Sequence, residues 1–197
     1  MKNIEVEIKG PILLMHSPKS MLDEQPSTTK RTEKHDYDKD AEKSAYRTKK
    51  GELYIPSQAL FSSILNGASF KKAGKYSAKS VMAGNIRIEP DEVILLDDKG
   101  KPMTKYEVDL RTVVIASGKK RNRIVRARPM VKNWRAKFNI IYNELYIGEQ
   151  GIIEDCLKDA GVRVGLLEYR PQTSGNYGTF EIVTFKEKAI AVGKGKK

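Results

Sequence analysis

Residues 53–68, LYIPSQALFSSILNGA, decide how the rest of the chain is divided. Leu53-Tyr54-Ile55 is a short apolar run closed by Pro56, which cannot donate to a sheet ladder and so ends a strand. Ser57 then offers a capping hydroxyl, and Leu60, Phe61, Ile64 and Leu65 recur at helical spacing on one face. Asn66-Gly67 is a stop signal. A strand thus feeds directly into a helix, and the flanking sequence has to supply the sheet that this helix covers.

Upstream, Ile4, Val6 and Ile8 alternate and Ile12-Leu13-Leu14-Met15 is continuously apolar. This predicts a first strand over 3–15 with a bulge or bend at Gly10-Pro11. From about 18 to 50 the apolar signal nearly vanishes, and the mixed charge predicts a long exposed loop. Beyond the helix, residues 67–84 are basic, glycine-bearing and poor in core residues, and read as a second exposed loop. Strand-like stretches follow at 86–88, 93–96, 106–111 and 112–115, with DDKGKP supplying turn chemistry. Residues 121–142, where Phe138, Ile140 and Tyr142 alternate, read as a strand pair.

Residues 149–160 form an amphipathic helix with Ile152, Ile153, Cys156 and Leu157 inward and Gly161 at its end. A glycine-bearing loop, a strand over 178–185 and a basic tail at 186–197 close the chain. The order β, loop, α, several β, α, β predicts one α+β domain over 1–197, with an antiparallel sheet and helices on one face.

The 197 residues carry 37 Lys or Arg against 25 Asp or Glu, a net charge of +12. A balance this basic favours a polyanionic partner, because neutralising phosphates releases counterions and supplies affinity without base contacts. One cysteine, Cys156, excludes a disulfide framework and a cysteine-based zinc cluster. The start, MKNIEVEIKG, has no apolar signal stretch and no segment approaches a membrane span, so a cytoplasmic location is expected.

The sharpest chemical feature is KKRNRIVRARPMVKNWRAK, residues 119–137, with nine Lys or Arg in nineteen and no acid. In a strand Arg121 and Arg123 share one face, as do Arg126 and Arg128, with Ile124 and Val125 between the pairs. These four arginines are the candidates for phosphate contact, with Lys132 and Arg135 next. Trp134, inside the run, is a candidate for stacking a base, against the alternative that it anchors the core. A second basic cluster, Lys71, Lys72 and Lys75 with Lys79, is interleaved with Tyr76, a further stacking candidate. Gly165, Gly175 and Gly178 are permissive backbone positions whose amides could approach phosphates.

Catalysis finds little support. His16 and His35 lie in no HExxH pattern, and Ser17 after His16 is not a triad. Asp23, Asp36, Asp38 and Asp40 could hold a metal or assist RNA cleavage, and are equally ordinary in a solvated loop. No catalytic residue, metal site or cofactor is expected.

Two segments together carry a resemblance. LYIPSQALFSSILNGA resembles the "IPGSSLKG.lR" segment of the RAMP superfamily, the repeat-associated proteins of CRISPR effector complexes, and stands in the same order after a first strand and an exposed loop. GVRVGLLEYRPQTSGNYGTFEI, residues 161–182, resembles that superfamily's glycine-rich loop and final strand. The chain looks most like the backbone subunit that polymerises along a guide RNA, and the LLMH…IP…RP…G pattern also resembles phage-encoded homologues. Gln58 and Ala59 stand where the family often has small or glycine-compatible residues, and no Lys or Arg lies within 57–67.

The resemblance implies a ferredoxin-like (RRM-like) fold and sequence-independent binding of single-stranded guide RNA. The bases would be left free to pair with a target. It implies a homo-oligomeric filament within a ribonucleoprotein of antiviral defence, possible contacts with other effector subunits, and the loops at 18–50 and 67–84 as thumb or wrist. Three rival readings stay open at this stage: a phage-type single-stranded DNA-binding or annealing protein, a RAMP-type endoribonuclease, and a virion protein whose basic face balances packaged genome charge.

Overall fold

The computed structural model describes residues 1–22, 36–117 and 120–188, with side chains at 21–22 and 115–122 left out. Its elements, in chain order, begin with β1 (Lys2–Leu14), α1 (Lys19–Leu22), α2 (Tyr37–Ser44), β2 (Tyr54–Pro56) and α3 (Ser57–Gly67). Then come the two-residue strands β3 (Lys72–Ala73) and β4 (Tyr76–Ser77), α4 (Ala78–Ala83), β5 (Ile86–Glu89), β6 (Glu92–Leu96) and β7 (Glu107–Ser117). The chain continues with β8 (Lys120–Tyr142), α5 (Glu144–Ile147), α6 (Gly151–Asp159) and β9 (Glu181–Lys188).

The main sheet is antiparallel. β8 pairs along one edge with β1, from Lys2 opposite Tyr142 to Leu14 opposite Met130, and β1 pairs in turn with β9. Along its other edge β8 receives β5, β6 and β7 end to end. The four strands β9-β1-β8-β5, with α3 after β1 and α6 after β8, form the α+β arrangement of a ferredoxin-like fold. Side chains alternate across the pleat, so Ile4, Val6 and Ile8 of β1 and Ala136, Phe138 and Ile140 of β8 point to one side. There they meet Leu60 and Ile64 of α3 and Ile153, Cys156 and Leu157 of α6 in one core. Both helices cover this face. The other face carries ion pairs, Arg135 and Lys137 with Glu7 and Lys188 with Glu5, and no aromatic ring from β1, β8 or β9.

The inward phase changes where β1 bends. Ile8 is buried, then Leu13, and on β8 Trp134 is buried, then Val131. Asn133 adopts a left-handed backbone (φ 50) at the change, and the pairing register stays unbroken. A Cβ on Gly10 would stand 2.6 Å from Cζ2 of Trp134, so the glycine is the space that the indole fills.

Several expectations are corrected here. The chain over 121–142 is one strand of β8, 23 residues long, and the two stretches at 106–111 and 112–115 are one strand, β7. Together β7 and the first half of β8 form a two-stranded ribbon, paired from Glu107–Met130 to Ser117–Lys120. At about 3.3 Å per residue it is roughly 33 Å long. The expected loop at 18–50 contains α1 and α2; Asp36 caps α2, accepting from the Lys39 amide at 3.2 Å, and Ala41, Ser44 and Ala45 are buried. The expected loop at 67–84 folds as a hairpin and α4, anchored by Ala68, Ala78 and Met82. Ser57 begins α3 without capping it, its hydroxyl turned to Asp91 at 3.4 Å. Gly67 is helical, and Cys156 O of α6 occupies the place of its missing side chain, so this glycine permits the α3–α6 crossing. Asp23, His35 and most of the tail at 186–197 lie outside the described residues.

Candidate nucleic-acid interface

A groove of about 360 Å³ opens between α3 and the segment that follows α6. On α3 the core stripe Leu60 and Ile64 leaves Gln58, Ser62 and Asn66 one helical turn apart on the outer side, and these line one wall. Pro56 and Ala59 stand at the helix N-terminus, whose first turn has no acidic residue and no side-chain cap. The positive end of the helix dipole is already met by Asp91, whose carbonyl accepts from the Ser57 amide at 2.8 Å and whose carboxylate accepts from the Ser57 hydroxyl at 3.4 Å. Lys79 of α4 reaches the rim, its Nζ donating to Asn66 Oδ1 at 3.3 Å.

The second wall is Gly165, Leu167, Glu168, Arg170 and Gln172. Its backbone is left-handed at Gly165 (φ 75), Leu167 (φ 56) and Tyr169 (φ 55). Non-glycine residues in that region cost roughly 1–3 kcal/mol each and cluster where a binding surface is shaped. Buried Ser63 ties the walls together, donating to Gly165 O at 2.9 Å across 102 residues of sequence.

The ribbon brings cations to the end of the groove. Arg126 Nη1 stands 2.9 Å from Nε2 of His16, which lines the groove. A guanidinium has no acceptor, so Nε2 accepts. Arg128 is buried nearby, 7% exposed, with Nη1 at 3.5 Å from Glu168 Oε2 and Nε without a partner among the described residues. Burial pushes the Arg128 guanidinium down from its ordinary pKa. On the same face of the ribbon Arg111 pairs with Asp109, donates to the Tyr177 hydroxyl, and lies against the rings of Tyr169 and Tyr177, 5.0 and 4.8 Å from their centroids. Arg170 donates to Leu167 O at 2.8 Å.

The sequence-based candidates therefore separate. Arg126 touches His16 of the groove lining, while Arg128 is buried against Glu168 of the same lining. Arg123 is on the opposite face of the ribbon, beside Val114 and Val125, and Arg121 pairs by backbone with Ala116, its side chain outside the described residues. Lys132 is joined to Glu107 at 2.6 Å, and Arg135 to Glu7 on the open face of the sheet at 2.8 Å. Lys72, Lys75 and Tyr76 are exposed on the β3–β4 hairpin; Lys71 there lies 3.4 Å from Asp159. That hairpin borders a separate cleft with Leu145, Tyr146 and the acids Glu149, Glu154 and Asp155.

Trp134 is fully buried in the core and cannot stack a base. The glycine amides are engaged within the chain: Gly165 N with Ala160 O, Gly175 N with Arg170 O and Gly178 N with Ile12 O. Any Cβ at Gly175 or Gly178 would run into the backbone of Tyr169 or Leu166, so these glycines fold the loop. Arg111, Glu168 and Arg170 were not among the sequence-based candidates, and His16 entered only as a residue weighed for catalysis. The polar spacing 58/62/66 on the outer side of a helix was the one local signal for the groove.

No family model matches the chain, and no curated protein matches it. Among solved structures it is similar to a chain of the type III-B Cmr-beta complex, seen by cryo-EM bound to cognate target RNA. The TM-score is 0.56 at 14% sequence identity, over 94% of this chain and 60% of that one. The likeness is one of fold. This chain spans 60% of the other's length.

Proposed function

We propose that the chain binds the backbone of single-stranded RNA in the groove between α3 and residues 164–172, without catalysis, as a repeating subunit of a CRISPR-type ribonucleoprotein. The observation that carries this reading is the convergence on one open groove of the Arg126–His16 pair, Arg170 and the polar outer side of α3. The arginines suit phosphates, and the neutral Gln58, Ser62, Asn66 and Gln172 suit sugar hydroxyls. The open sheet face, with its paired charges and lack of aromatic rings, does not suit the base stacking that RRM sheets use.

The similarity in fold to a chain of an RNA-bound effector complex supports the same reading. So does the ribbon, which exposes Leu110, Val114 and Val125 on the face away from the groove. A lone two-stranded ribbon is marginal in water and gains from a surface to lie on, and a neighbouring copy on the same strand would provide one.

The test is purification without nuclease, followed by sequencing of any bound nucleic acid and mass measurement on RNAs of increasing length. Discrete RNA, with a number of bound copies that rises stepwise with RNA length, is the expected result. Heterogeneous DNA would favour a general single-strand binder. Strictly monomeric binding at every length would contradict the repeating subunit, and cleaved RNA would contradict the absence of catalysis.

A further inference from the structure

Glu168 is the only carboxylate among the described residues that line the groove. A carboxylate accepts hydrogen bonds and cannot donate them, and phosphate oxygens are acceptors too, so in a phosphate-binding groove this side chain repels the backbone it faces. It is held there. The Glu168 amide donates to Leu14 O at 3.1 Å, fixing the residue to the end of β1, and Arg128 draws Oε2 from below at 3.5 Å.

Arg128 does not saturate it. A paired guanidinium and carboxylate settle at about 2.7–2.9 Å, commonly through two bonds, whereas here Nη1 stands 3.5 Å from Oε2 and Arg128 Nε has no partner among the described residues. Oε1 makes no hydrogen bond to the described residues, and the Glu168 side chain keeps 41% of its accessible surface. The groove thus presents a positioned, half-used acceptor to whatever enters it.

On a nucleic-acid strand the donors are the base edges and, in RNA alone, the ribose 2′-hydroxyl. A groove that tracks the backbone meets the sugar at every nucleotide, whatever the sequence. We infer that Glu168 makes the groove selective for RNA over DNA, by accepting a hydrogen bond from a ribose 2′-hydroxyl. This rests on the reading of the groove as a single-strand site and adds the sugar to its specificity. With DNA the carboxylate faces phosphate and carbon only, so its repulsion goes uncompensated.

The experiment is a competition among three 20-mers of one sequence: RNA, 2′-fluoro RNA, which keeps the RNA sugar pucker but has no donor, and DNA. Wild-type protein is expected to bind RNA on the order of 10-fold more tightly than the 2′-fluoro strand, the scale of one hydrogen bond to a charged group. Glu168→Met, similar in length but without an oxygen acceptor, is expected to bring RNA and 2′-fluoro RNA to within about 2-fold, chiefly by tightening the strands that lack the hydroxyl. Glu5→Gln on the open sheet face is expected to leave the wild-type ratios unchanged.

Equal binding of RNA and 2′-fluoro RNA by the wild-type protein would overturn the assignment, with no variant required. So would a preference that survives Glu168→Met. Failure to bind any of the three strands would instead overturn the groove reading, and this assignment with it.

Discussion

Arg126 Nη1 stands 2.9 Å from His16 Nε2, joining the ribbon to the residues just past the end of β1, at the mouth of the groove. The pair puts a permanent positive charge beside an open surface and fixes its direction. Arg126→Ala is expected to weaken single-strand binding about 10-fold and to lower the slope of log affinity against log salt by about 0.7, one phosphate contact on a single strand. Lys137→Ala, on the opposite face of the sheet, is expected to change neither by more than a small fraction. Titrations at several salt concentrations read both numbers.

Arg111, held on the ribbon by Asp109, clamps the segment beside the groove's second wall to the ribbon through Tyr169 and Tyr177. Arg111→Lys keeps the charge but loses the planar stack and the fork of bonds. Its expected cost is about 1 kcal/mol, the usual scale of a partly exposed cation–ring contact. Hydrogen exchange should show faster opening at the Tyr177 amide, which donates to Tyr169 O, with β1 and β8 unchanged. Uniform loss of protection across the sheet would contradict the local clamp.

Trp134 belongs to the core. Trp134→Phe is expected to lower stability by roughly 1–3 kcal/mol in denaturant unfolding while leaving nucleic-acid affinity unchanged. Gly10→Ala places a methyl group against the indole and is expected to cost a similar roughly 1–3 kcal/mol through overpacking. The chain's single tryptophan is then a reporter of folding, with emission that holds constant when a strand binds.

Cys156 is fully buried between α6 and the sheet, and burial pushes its thiol up to about 11. Native protein at pH 8 is therefore expected to resist alkylation, since the thiolate is the reactive form, and to react fully once unfolded. A thiol whose pKa is raised by folding contributes stability that is intact below the unfolded pKa, near 9, and is lost as pH rises toward 11. Cys156→Ala should remove that part of the alkaline decline, measured as unfolding free energy against pH.

The fold was largely legible in the sequence because its four framework strands and two covering helices carry clean apolar periods. Ile4, Val6 and Ile8 on β1, and Ile153, Cys156 and Leu157 on α6, bury themselves as their spacing requires. Helix α2 was hidden because only Ala41 and Ser44 of its eight residues are buried, too few to set a period. The continuity of β8 was hidden because its basic half is held by pairing to β7, a partner that its own apolar pattern does not announce.

The groove was less legible still. Its walls come from 56–66 and 164–172, and its end from His16, Arg126 and Arg128. Only the chain path brings them together. The concentration of arginines was visible; which face each one takes depends on the strand's phase, and this set Arg123 apart from Arg126.

The most direct test is photo-crosslinking of the protein to 4-thiouridine RNA, with the joined peptides mapped by mass spectrometry. Crosslinks concentrated in residues 56–66 and 164–172, lost on Arg126→Ala, are the expected result. Crosslinks confined to the open sheet face around Glu7, Arg135 and Lys137 would contradict the account, because the strand would then run over the surface that the paired charges were taken to close.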